Sequence, residues 1–528
     1  MKLLIHNIKA NLTDPEGSAL SFAEEKLRGV GLKPSTMQIT KRSVDARKRE
    51  EICYVCSVLA EVSGKPTDKQ LQKLGAVILR DEEMIPQTAK RKRSADAPRP
   101  VIVGFGPAGM FAALLLAEEG YAPIVLERGD DVYTRSAGVE RFLQTGRLDT
   151  DSNVQFGAGG AGTFSDGKLI TRINDPRCSY VLRRLVEFGA DPDILVNARP
   201  HIGSDRLPSV VEGIAQKIRS LGGEIRYRTK LIGIRTGLAG QVVAAVTDSG
   251  EIATDAILLA IGHSARDTYR YLIDGGYTVE AKPFSVGVRI EHLQDDINYA
   301  MYGRAAEILP PAEYNLSYRQ GERGVYSFCM CPGGTVMAAA SEEGGVVTNG
   351  MSNAARDGRN SNSALAVSVL PADFGGTPHG AIAFQRRLEQ RAFAMGGGEY
   401  RAPMQTVGDF LSGKQGSEPS RILPTYRGGE GCTLCDLHGL LPDFVSDLLA
   451  VGIRRFARQI EGFDAADALL TGPETRTSAP VRILRGADRQ AIGHPGLYPC
   501  GEGAGYAGGI TSAATDGLAS AIAMIWES

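Results

Sequence analysis

The chain has 528 residues, of which 43% are hydrophobic and 23% are charged, a composition typical of a globular protein with two or three domains. The formal net charge of −2 argues against a nucleic-acid partner, and no apolar run approaches the ~20 residues of a membrane span. Charged and polar residues follow the initiator methionine too early for a signal peptide, so we expect a cytoplasmic protein with reduced cysteines.

The first part of the chain, residues 1–88, has the pattern of a small α+β domain. Strand-like runs at 3–8, 36–41, 52–60 and 76–79 alternate with helical spacing at 18–29 and 68–74. This order predicts a ferredoxin-like layer. Residues 89–99 are charged, small and bounded by proline, which predicts a linker.

Residues 100–128 have the pattern of a strand, a glycine turn, an apolar helix and a second strand. Gly104, Gly106 and Gly109 form a GxGxxG string directly after the apolar run 101–103. In such a unit the glycines allow the tight turn, the approach of a pyrophosphate and close helix packing, while the helix N-terminus attracts the phosphates. Glu127 lies roughly 20 residues further on, where an acid binds ribose hydroxyls and repels the 2′-phosphate of NADP.

Two further GxGxxG strings occur, at 157–162 and 503–508, but neither lies between a strand and a helix with a following acid. The unit at 104–109 is therefore the predicted dinucleotide site. A polar helix is expected at 132–145. The glycine-rich stretch 153–170 contains Gly160, Ser165, Asp166 and Lys168, and its composition predicts backbone wrapped against a flat or anionic ligand.

The remaining predicted elements return to the first sheet. Helices are expected at 180–188 and 207–221, and a three-stranded meander at 225–227, 231–234 and 241–247. A buried parallel strand at 254–262 ends in Gly262, mixed strands and loops extend from 276 to 487, and a last strand at 496–500 precedes a helix at 512–526. This order predicts a Rossmann-like α/β domain made of residues 100–275 and 488–528, with residues 276–487 inserted as a mixed α+β substrate domain.

Four of these segments, taken in order, resemble the two-dinucleotide-binding-domain flavoproteins of the glutathione-reductase-2 structural class. The resemblance implies FAD, with its ADP part on the 104–109 unit and Gly501-Glu502 near the ribityl chain or pyrophosphate. Gly508, Gly509 and Ile510 would bring helix N–H groups to flavin N1 and O2. The residues expected to bind the cofactor are Gly104, Gly106, Pro107, Ala108, Gly109, Glu127, Arg128, Gly160, Ser165, Asp166, Leu231, Gly262, Gly501, Glu502, Gly508, Gly509 and Ile510.

A closer resemblance covers nearly the whole chain, to the FAD-dependent dehydrogenase family known as "NAD(FAD)-utilizing dehydrogenase", which is related to the bile-acid-type enone reductase flavoproteins. The segments that carry it are 41–47, 159–168, 262–267, 282–292, 327–334, 348–352, 474–482 and 501–514. It implies the fold and an oxidoreductase activity, but no particular substrate.

In such a flavoprotein the flavin performs the hydride chemistry and the protein supplies position and electrostatics. We expect a hydride to pass through flavin N5 to or from a small-molecule substrate, with the ring near residues 165–168 and 508–510. Lys168, Arg289 and Arg476 are the candidate catalytic residues: the lysine for flavin N5 or a phosphate, the arginines to clamp an anionic substrate. Since no second strand-GxGxxG-helix unit follows, NAD(P)H would bind only transiently.

Two cysteine pairs leave alternatives open. Cys329 and Cys331 would share one face of a strand, so they are either redox-active or simple buried thiols. Cys432 and Cys435, near His438, have a zinc-like spacing, but no fourth ligand follows and we expect no metal.

Two other function classes remain open at this point. One is a non-catalytic FAD-binding protein that acts through its N-terminal domain on a partner or RNA. The other is an FAD-dependent group-transfer or RNA-modification enzyme, which a lone reactive cysteine facing the flavin would favour. No DNA or membrane partner is expected, and the sequence predicts no oligomeric state.

Overall fold

The computed structural model describes residues 1–79 and 97–527, and it has a mixed α/β architecture. The predicted linker at 89–99 lies largely outside the described residues, which resume at residue 97. Within the described ranges, no helix is both long enough and apolar enough to cross a membrane.

The N-terminal part folds as one sheet with two helices. Its elements are β1 (Lys2–Ala10), α1 (Pro15–Arg28), β2 (Pro34–Asp45), β3 (Cys53–Val62), α2 (Asp68–Leu74) and β4 (Ala76–Leu79). The sheet order is β2-β3-β1-β4 and each neighbouring pair is antiparallel, which is the ferredoxin-like topology. Alternate residues such as Leu3, Ile5 and Val58 are fully buried because they lie on the face of the sheet that packs against α1.

The next part contains β5 (Val101–Val103), α3 (Pro107–Glu118), β6 (Ile124–Leu126), α4 (Val132–Thr145), α5 (Arg177–Glu187), α6 (Leu207–Ser220), β7 (Glu224–Arg226), β8 (Leu231–Thr236), β9 (Val242–Thr247), β10 (Gly250–Ala253), β11 (Ile257–Leu259) and α7 (Arg266–Asp274). β5, β6 and β11 are short and buried on both faces, as expected for parallel strands that lie between helices.

One prediction for this part was wrong. The strand expected at 225–227 does not join the meander, since β7 pairs in parallel with β6. The third strand of the meander is instead β10, which pairs with β9. Helix α6 immediately precedes β7, so the connection from β6 to β7 is a helical crossover. A crossover of this kind joins two parallel strands.

Residues 279–483 contain the largest sheet. Their elements are β12 (Val279–Ala281), β13 (Phe284–Leu293), α8 (Gln294–Tyr302), β14 (Ser317–Gln320), β15 (Arg323–Cys331), β16 (Gly334–Ala338), β17 (Thr348–Ser352), β18 (Asn360–Val369), α9 (Pro378–Met395), β19 (Ala402–Thr406), α10 (Val407–Ser412), β20 (Cys432–Leu434), α11 (Asp443–Phe456), β21 (Leu469–Glu474) and β22 (Val481–Ile483). Seven of these strands form one sheet in the order β14-β15-β18-β13-β21-β19-β20. β13, β18 and β21 at its centre are almost completely buried.

The last elements, β23 (Leu497–Pro499) and α12 (Ile510–Glu527), return to the parallel sheet. β23 pairs in parallel with β11, so the sheet order is β23-β11-β5-β6-β7. α12 packs tightly on α3, because a Cβ at Gly517 would lie only 2.1 Å from the carbonyl oxygen of Ala108. The three glycine-rich segments, after β5, β6 and β23, therefore meet at the carboxyl edge of one sheet.

Candidate functional site

A cavity of about 1290 Å³ opens at this edge, between the five-stranded and the seven-stranded sheets. It is larger than the roughly 300–1,000 Å³ that is usual for small-molecule sites, so it has room for a dinucleotide and a second ligand. The predicted cofactor residues that line it are Gly104, Gly106, Pro107, Ala108, Glu127, Arg128, Gly160, Ser165, Asp166, Leu231, Gly262, Gly501, Glu502, Gly508, Gly509 and Ile510. Gly109 does not line it.

The three glycines of the GxGxxG turn have different reasons to be glycine. Gly104 has a φ of +97° and a Cβ there would lie 2.3 Å from the Ala260 carbonyl oxygen, while a Cβ at Gly109 would lie 1.9 Å from the Gly104 oxygen. Gly106 has a φ of −84°, and the nearest atom to its Cβ would be 3.6 Å away, so the protein itself would accept alanine. The missing side chain at Gly106 keeps open the space in front of the α3 N-terminus, as a bound pyrophosphate requires.

Glu127, at the end of β6, holds the glycine-rich backbone around the cavity. Its Oε2 accepts the N–H of Phe105 at 2.9 Å, and its Oε1 accepts those of Gly129 at 2.9 Å and Gly157 at 3.0 Å. A carboxylate has about four acceptor positions, so one remains, on Oε2. The predicted bond to a ribose hydroxyl fits that position, but the role of Glu127 as an anchor for three backbone segments was missed.

Arg135, on α4, is a functional residue that the sequence reading also missed. Its fully buried guanidinium donates to five backbone carbonyl oxygens, those of Asn153, Val154, Gly157, Ala158 and Gly160, at 2.6–3.2 Å. Burial lowers its pKa to about 10, against the opposing effect of Glu127. The only signal in the sequence was an arginine at an inward position of a helix that precedes a glycine-rich loop.

The glycine-rich loop that follows α4 contributes a second wall to the cavity. Gly160 has a φ of +64° and approaches Gly106, since a Cβ there would lie 3.0 Å from the Gly106 Cα. Ser165 donates to the Gly162 carbonyl at 2.7 Å and accepts the Gly167 N–H at 3.0 Å. These contacts shape the loop, and they bring backbone rather than charged side chains to the turn at Gly106.

Asp166 lines the cavity, but its oxygens are bound by protein groups. Arg356 donates to both carboxylate oxygens, from Nε at 3.0 Å and from Nη2, and the Ser352 hydroxyl donates at 2.6 Å. Burial raises its pKa, but the bonds from Arg356 outweigh this effect and leave the pKa below its usual value. Asp166 therefore remains ionised and joins the glycine-rich loop to β17 and the segment that follows it.

Arg128 and Leu231 also line the cavity. Arg128 forms ion pairs with Asp151 at 2.8 Å and Asp267 at 3.0 Å, and its guanidinium carbon lies 4.0 Å above the Phe156 ring. Leu231 begins β8 and is buried. The arginine thus ties β6 to the Gly262 segment, as a part of the cavity wall.

The third glycine-rich segment joins β23 to α12. Gly501 has a φ of +72° and approaches Ala108 at the start of α3, and the half-buried Glu502 follows it. No atom lies within 4 Å of a Cβ placed at Gly508 or Gly509, so open space lies in front of the α12 N-terminus. Such an end carries free N–H groups and a partial positive charge, which suits an electron-rich ring edge.

The three candidate catalytic residues have different positions. Lys168 lines the cavity, where its Nζ donates to the Met330 carbonyl oxygen and lies 3.7 Å from Asp166 and 3.6 Å from Glu313. It is the one cationic candidate whose ammonium faces the cavity next to the 165–168 loop.

The two arginine candidates do not fit the predicted role of an anion clamp. Arg476 reaches the cavity wall, but its guanidinium is bound to Glu389 at 3.1 Å and to Ser341, within a buried network that includes Arg266. Arg289 does not line the cavity; it bonds to Asn362 at 3.0 Å and to the Cys329 carbonyl at 2.7 Å. Each of these guanidinium groups binds buried acceptors inside the protein. The sequence alone does not show which acceptors lie close to it.

Ionisable groups surround the buried Arg289, and two of them, Glu474 and Cys329, line the cavity. Glu474 lines the cavity 3.4 Å from the Arg289 Nη1, and burial raises its pKa to about 7 although Arg289 acts to lower it. Cys329 also lines the cavity, and Cys331 lies behind it, fully buried. A carboxyl group with this pKa can hold or release a proton near neutral pH.

The second cysteine pair has no metal-site geometry. The Cys435 thiol donates to the Met395 carbonyl at 3.2 Å, and His438 bonds to the Phe410 carbonyl at 3.0 Å. Across residues 1–79 and 97–527 no group of three or more His, Cys, Asp or Glu side chains could hold a metal ion.

Comparison with known proteins identifies one domain family and one full-length relative. Residues 283–477 match the family model described as FAD-dependent protein, C-terminal domain-like. An uncharacterized protein of Clostridium beijerinckii is 47% identical over 524 residues, which cover 98% of this chain and 97% of the relative.

Solved structures show only distant likeness. The flavin-dependent brominase Bmp2 matches with a TM-score of 0.37 and 12% identity, covering 81% of this chain and 79% of that one. A geranylgeranyl bacteriochlorophyll reductase-like protein of Thermoplasma acidophilum matches with a TM-score of 0.35 and 10% identity, covering 82% and 79%. CtdE, in complex with FAD, matches with a TM-score of 0.34 and 12% identity, covering 81% and 84%. Likeness this distant does not extend to substrate or reaction.

Proposed function

We propose that the chain, which belongs to the same family as the uncharacterized Clostridium beijerinckii protein, is an FAD-dependent oxidoreductase acting on a small molecule. The match of residues 283–477 to a domain model of FAD-dependent proteins supports this proposal. The observation that carries this proposal is the cavity itself. It joins the glycine turn at the α3 N-terminus to the cluster of ionisable groups around Lys168 and Glu474, so one space offers both a dinucleotide site and groups suited to acid–base work.

In this proposal, FAD would be held by residues that were predicted from the sequence and that line or adjoin the cavity. The Gly104–Gly109 turn would take the pyrophosphate, the free Oε2 position of Glu127 a ribose hydroxyl, and Glu502 the ribityl chain or the pyrophosphate. Gly508 to Ile510 would face the ring at the α12 N-terminus. Residues 276–487, in this proposal, form an inserted substrate domain that covers the ring from the other side.

Bound FAD would supply two-electron chemistry, exchanged through N5 with a small-molecule substrate. Lys168 would orient or polarise the substrate, since its Nζ is fixed at the cavity wall by the Met330 carbonyl. Glu474 would donate a proton to the substrate or accept one from it. Its pKa of about 7 leaves both the protonated and the ionised carboxyl group populated near neutral pH. NAD(P)H is the proposed electron donor, docking transiently in the same cavity.

An anaerobic absorbance scan of purified protein tests this proposal. NADH and NADPH are added separately, with a Gly106→Val variant as the control that blocks the pyrophosphate position. Rapid bleaching of a flavin spectrum by one nucleotide, absent in the variant, is the expected result. A protein that binds no flavin even after reconstitution with FAD would overturn the proposal, and a bound flavin that neither nucleotide reduces would overturn its NAD(P)H part.

A flavin-dependent group transfer is the second candidate, and one observation favours it. The Cys329 sulfur reaches the cavity, where a nucleophilic thiolate could take part in covalent catalysis. However, Cys329 is not a lone cysteine, because a second thiol lies next to it.

A further inference from the structure

Cys329 and Cys331 lie on either side of Met330 at the end of β15, and their sulfur atoms are 3.9 Å apart. The Cys331 thiol also lies 3.2 Å from the Cys329 carbonyl oxygen. Cys329 is partly exposed and lines the cavity, whereas Cys331 is 0% exposed and does not line it. Cys329 is therefore the member of the pair that a ligand in the cavity would meet first.

The backbone brings the two sulfurs closer than a regular strand would. Residues i and i+2 of a strand have Cα atoms about 6.6–6.8 Å apart, at the upper limit of the range that a disulfide tolerates. Here the pairing of β15 with β18 is interrupted between Phe328 and Cys331, and Cys329 has a φ of +45°. A non-glycine residue in the left-handed region at a bulge marks a site where the structure imposes a special geometry.

The charges around the pair favour a thiolate on Cys329. The Arg289 Nη2 lies 2.7 Å from the Cys329 carbonyl oxygen and 3.7 Å from the Cys331 sulfur. The bond from the Cys331 thiol lowers the Cys329 pKa, and Arg289 and Lys168 lower it further, against the effect of burial. The pKa of Cys331 is raised, since the same bond and burial both keep its proton in place. Thiol–disulfide exchange needs a thiolate at the attacking position, and the resolving thiol loses its proton only when it attacks in turn.

A chain of contacts links the pair to the proposed flavin end of the cavity. The Lys168 Nζ donates to the carbonyl oxygen of Met330, the residue between the two cysteines. The next residue, Leu169, accepts a hydrogen bond at 2.7 Å from the Thr511 hydroxyl in the first turn of α12. The dithiol and the α12 N-terminus are thus joined through two consecutive residues of one loop.

We propose that Cys329 and Cys331 form a redox-active dithiol that exchanges an electron pair with the flavin, and that the substrate is a small disulfide. The Cys329 thiolate attacks one sulfur of the substrate disulfide, which breaks the substrate S–S bond, forms a mixed disulfide and releases the first product as a thiolate. Cys331 then attacks the Cys329 sulfur and gives its proton to the second product, which leaves as a thiol, and an internal disulfide remains. Two electrons from reduced FAD and one proton would break that bond and restore the Cys329 thiolate and the Cys331 thiol. The dithiol proposal rests on the proposed function for its flavin.

The test is an anaerobic reductive titration of the oxidised, FAD-loaded protein, together with thiol mapping by alkylation and mass spectrometry. The variants are Cys329→Ser and Cys331→Ala. The matched control is Cys53→Ser, a thiol in the N-terminal sheet and remote from the cavity. Flavin-free protein treated with diamide is mapped in parallel, so that disulfide formation is measured without any cofactor.

The expected result is that wild type and Cys53→Ser take up twice as many electrons per flavin as either cavity variant. In the mapping, Cys329 and Cys331 should become protected together, as a peptide lighter by two hydrogen atoms. Equal uptake in all four proteins, or alkylation of both thiols after oxidation, would overturn the dithiol alone and leave the oxidoreductase proposal standing. A protein without flavin would overturn the proposed function, and the diamide mapping would then show separately whether the pair closes.

Discussion

Two charged residues on opposite sides of one loop determine the shape of the cavity. Arg135 binds carbonyl oxygens of residues 153–160, and Glu127 binds N–H groups, including that of Gly157. A glycine-rich loop has no side chains to fix its own backbone, and each buried backbone group needs a partner. The two side chains take the place of regular secondary structure there.

We expect Arg135→Met to lose bound flavin and to destabilise the protein. The substitution leaves five buried carbonyl oxygens without this donor, and each unsatisfied buried group costs about 1–3 kcal/mol, part of which water recovers. The flavin-to-protein ratio after gel filtration and the melting temperature of flavin-free protein measure the two effects. Arg141→Met, an exposed position on the same helix, is the control and should change neither. Full flavin retention in Arg135→Met would show that the loop holds its shape without this residue.

The sequence analysis misjudged some side chains because their partners lie far away in the sequence. Arg289 and Arg476 lie in motifs that look suited to binding an anion, but their acceptors, Glu474 and Glu389, come from distant segments. Cys329 and Cys331 were expected on one strand face. Their short sulfur separation depends on a bulge, however, and bulges leave no clear pattern in a single sequence.

At the scale of elements, the strand-turn-helix unit of β5, α3 and β6 was the most predictable part. Its signals are local, since the turn, the helix start and the acid lie within 27 consecutive residues, 101–127. The return of the last strand to this sheet was also predicted, and β23 pairs in parallel with β11. The strand at β7 was misassigned because a three-residue strand fits either a meander or a crossover, and only its pairing partner decides between them.

Alanine at two positions of the turn should separate folding from cofactor binding. Gly104→Ala forces a side chain into the left-handed region and against the Ala260 oxygen, so we expect a loss of about 1–3 kcal/mol of unfolding free energy. Gly106→Ala meets no such clash and should unfold like wild type, yet it should bind FAD more weakly. Urea unfolding of the flavin-free proteins and FAD titration by fluorescence measure the two quantities. If Gly106→Ala and wild type bind FAD with equal affinity, the pyrophosphate does not bind at the turn that contains Gly106.

At the scale of the whole molecule, the buried carboxyl group of Glu474 makes stability depend on pH. The groups that face it are Arg289 from β13, Thr348 from β17 and the nearby Cys329. Its pKa is about 7 in the folded protein, above the value of about 4.3 in an unfolded chain. The folded state therefore binds the proton more tightly, so this contribution is fully present below about pH 4.3 and is lost as the pH rises through 7.

We expect wild-type protein to lose roughly 1–3 kcal/mol of unfolding free energy relative to Glu474→Gln between pH 5 and pH 7.5. The glutamine keeps the shape but does not titrate, so the other ionisable groups cancel in the comparison. Urea unfolding of both flavin-free proteins across this range is the measurement. Parallel stability curves for the two proteins would contradict a raised pKa at Glu474.

The return of the chain to its first sheet also has a consequence for synthesis. α3 is apolar on all sides, and α12, which covers it, lies about 400 residues later. At translation rates of roughly 5–20 residues per second, the ribosome needs about 20–80 s between these two helices. During that interval the nascent α3 lacks the cover that α12 provides, so part of its apolar surface stays exposed. The wall formed by Gly501 to Ile510 does not yet exist either, so the cofactor can be enclosed only when translation has passed that segment.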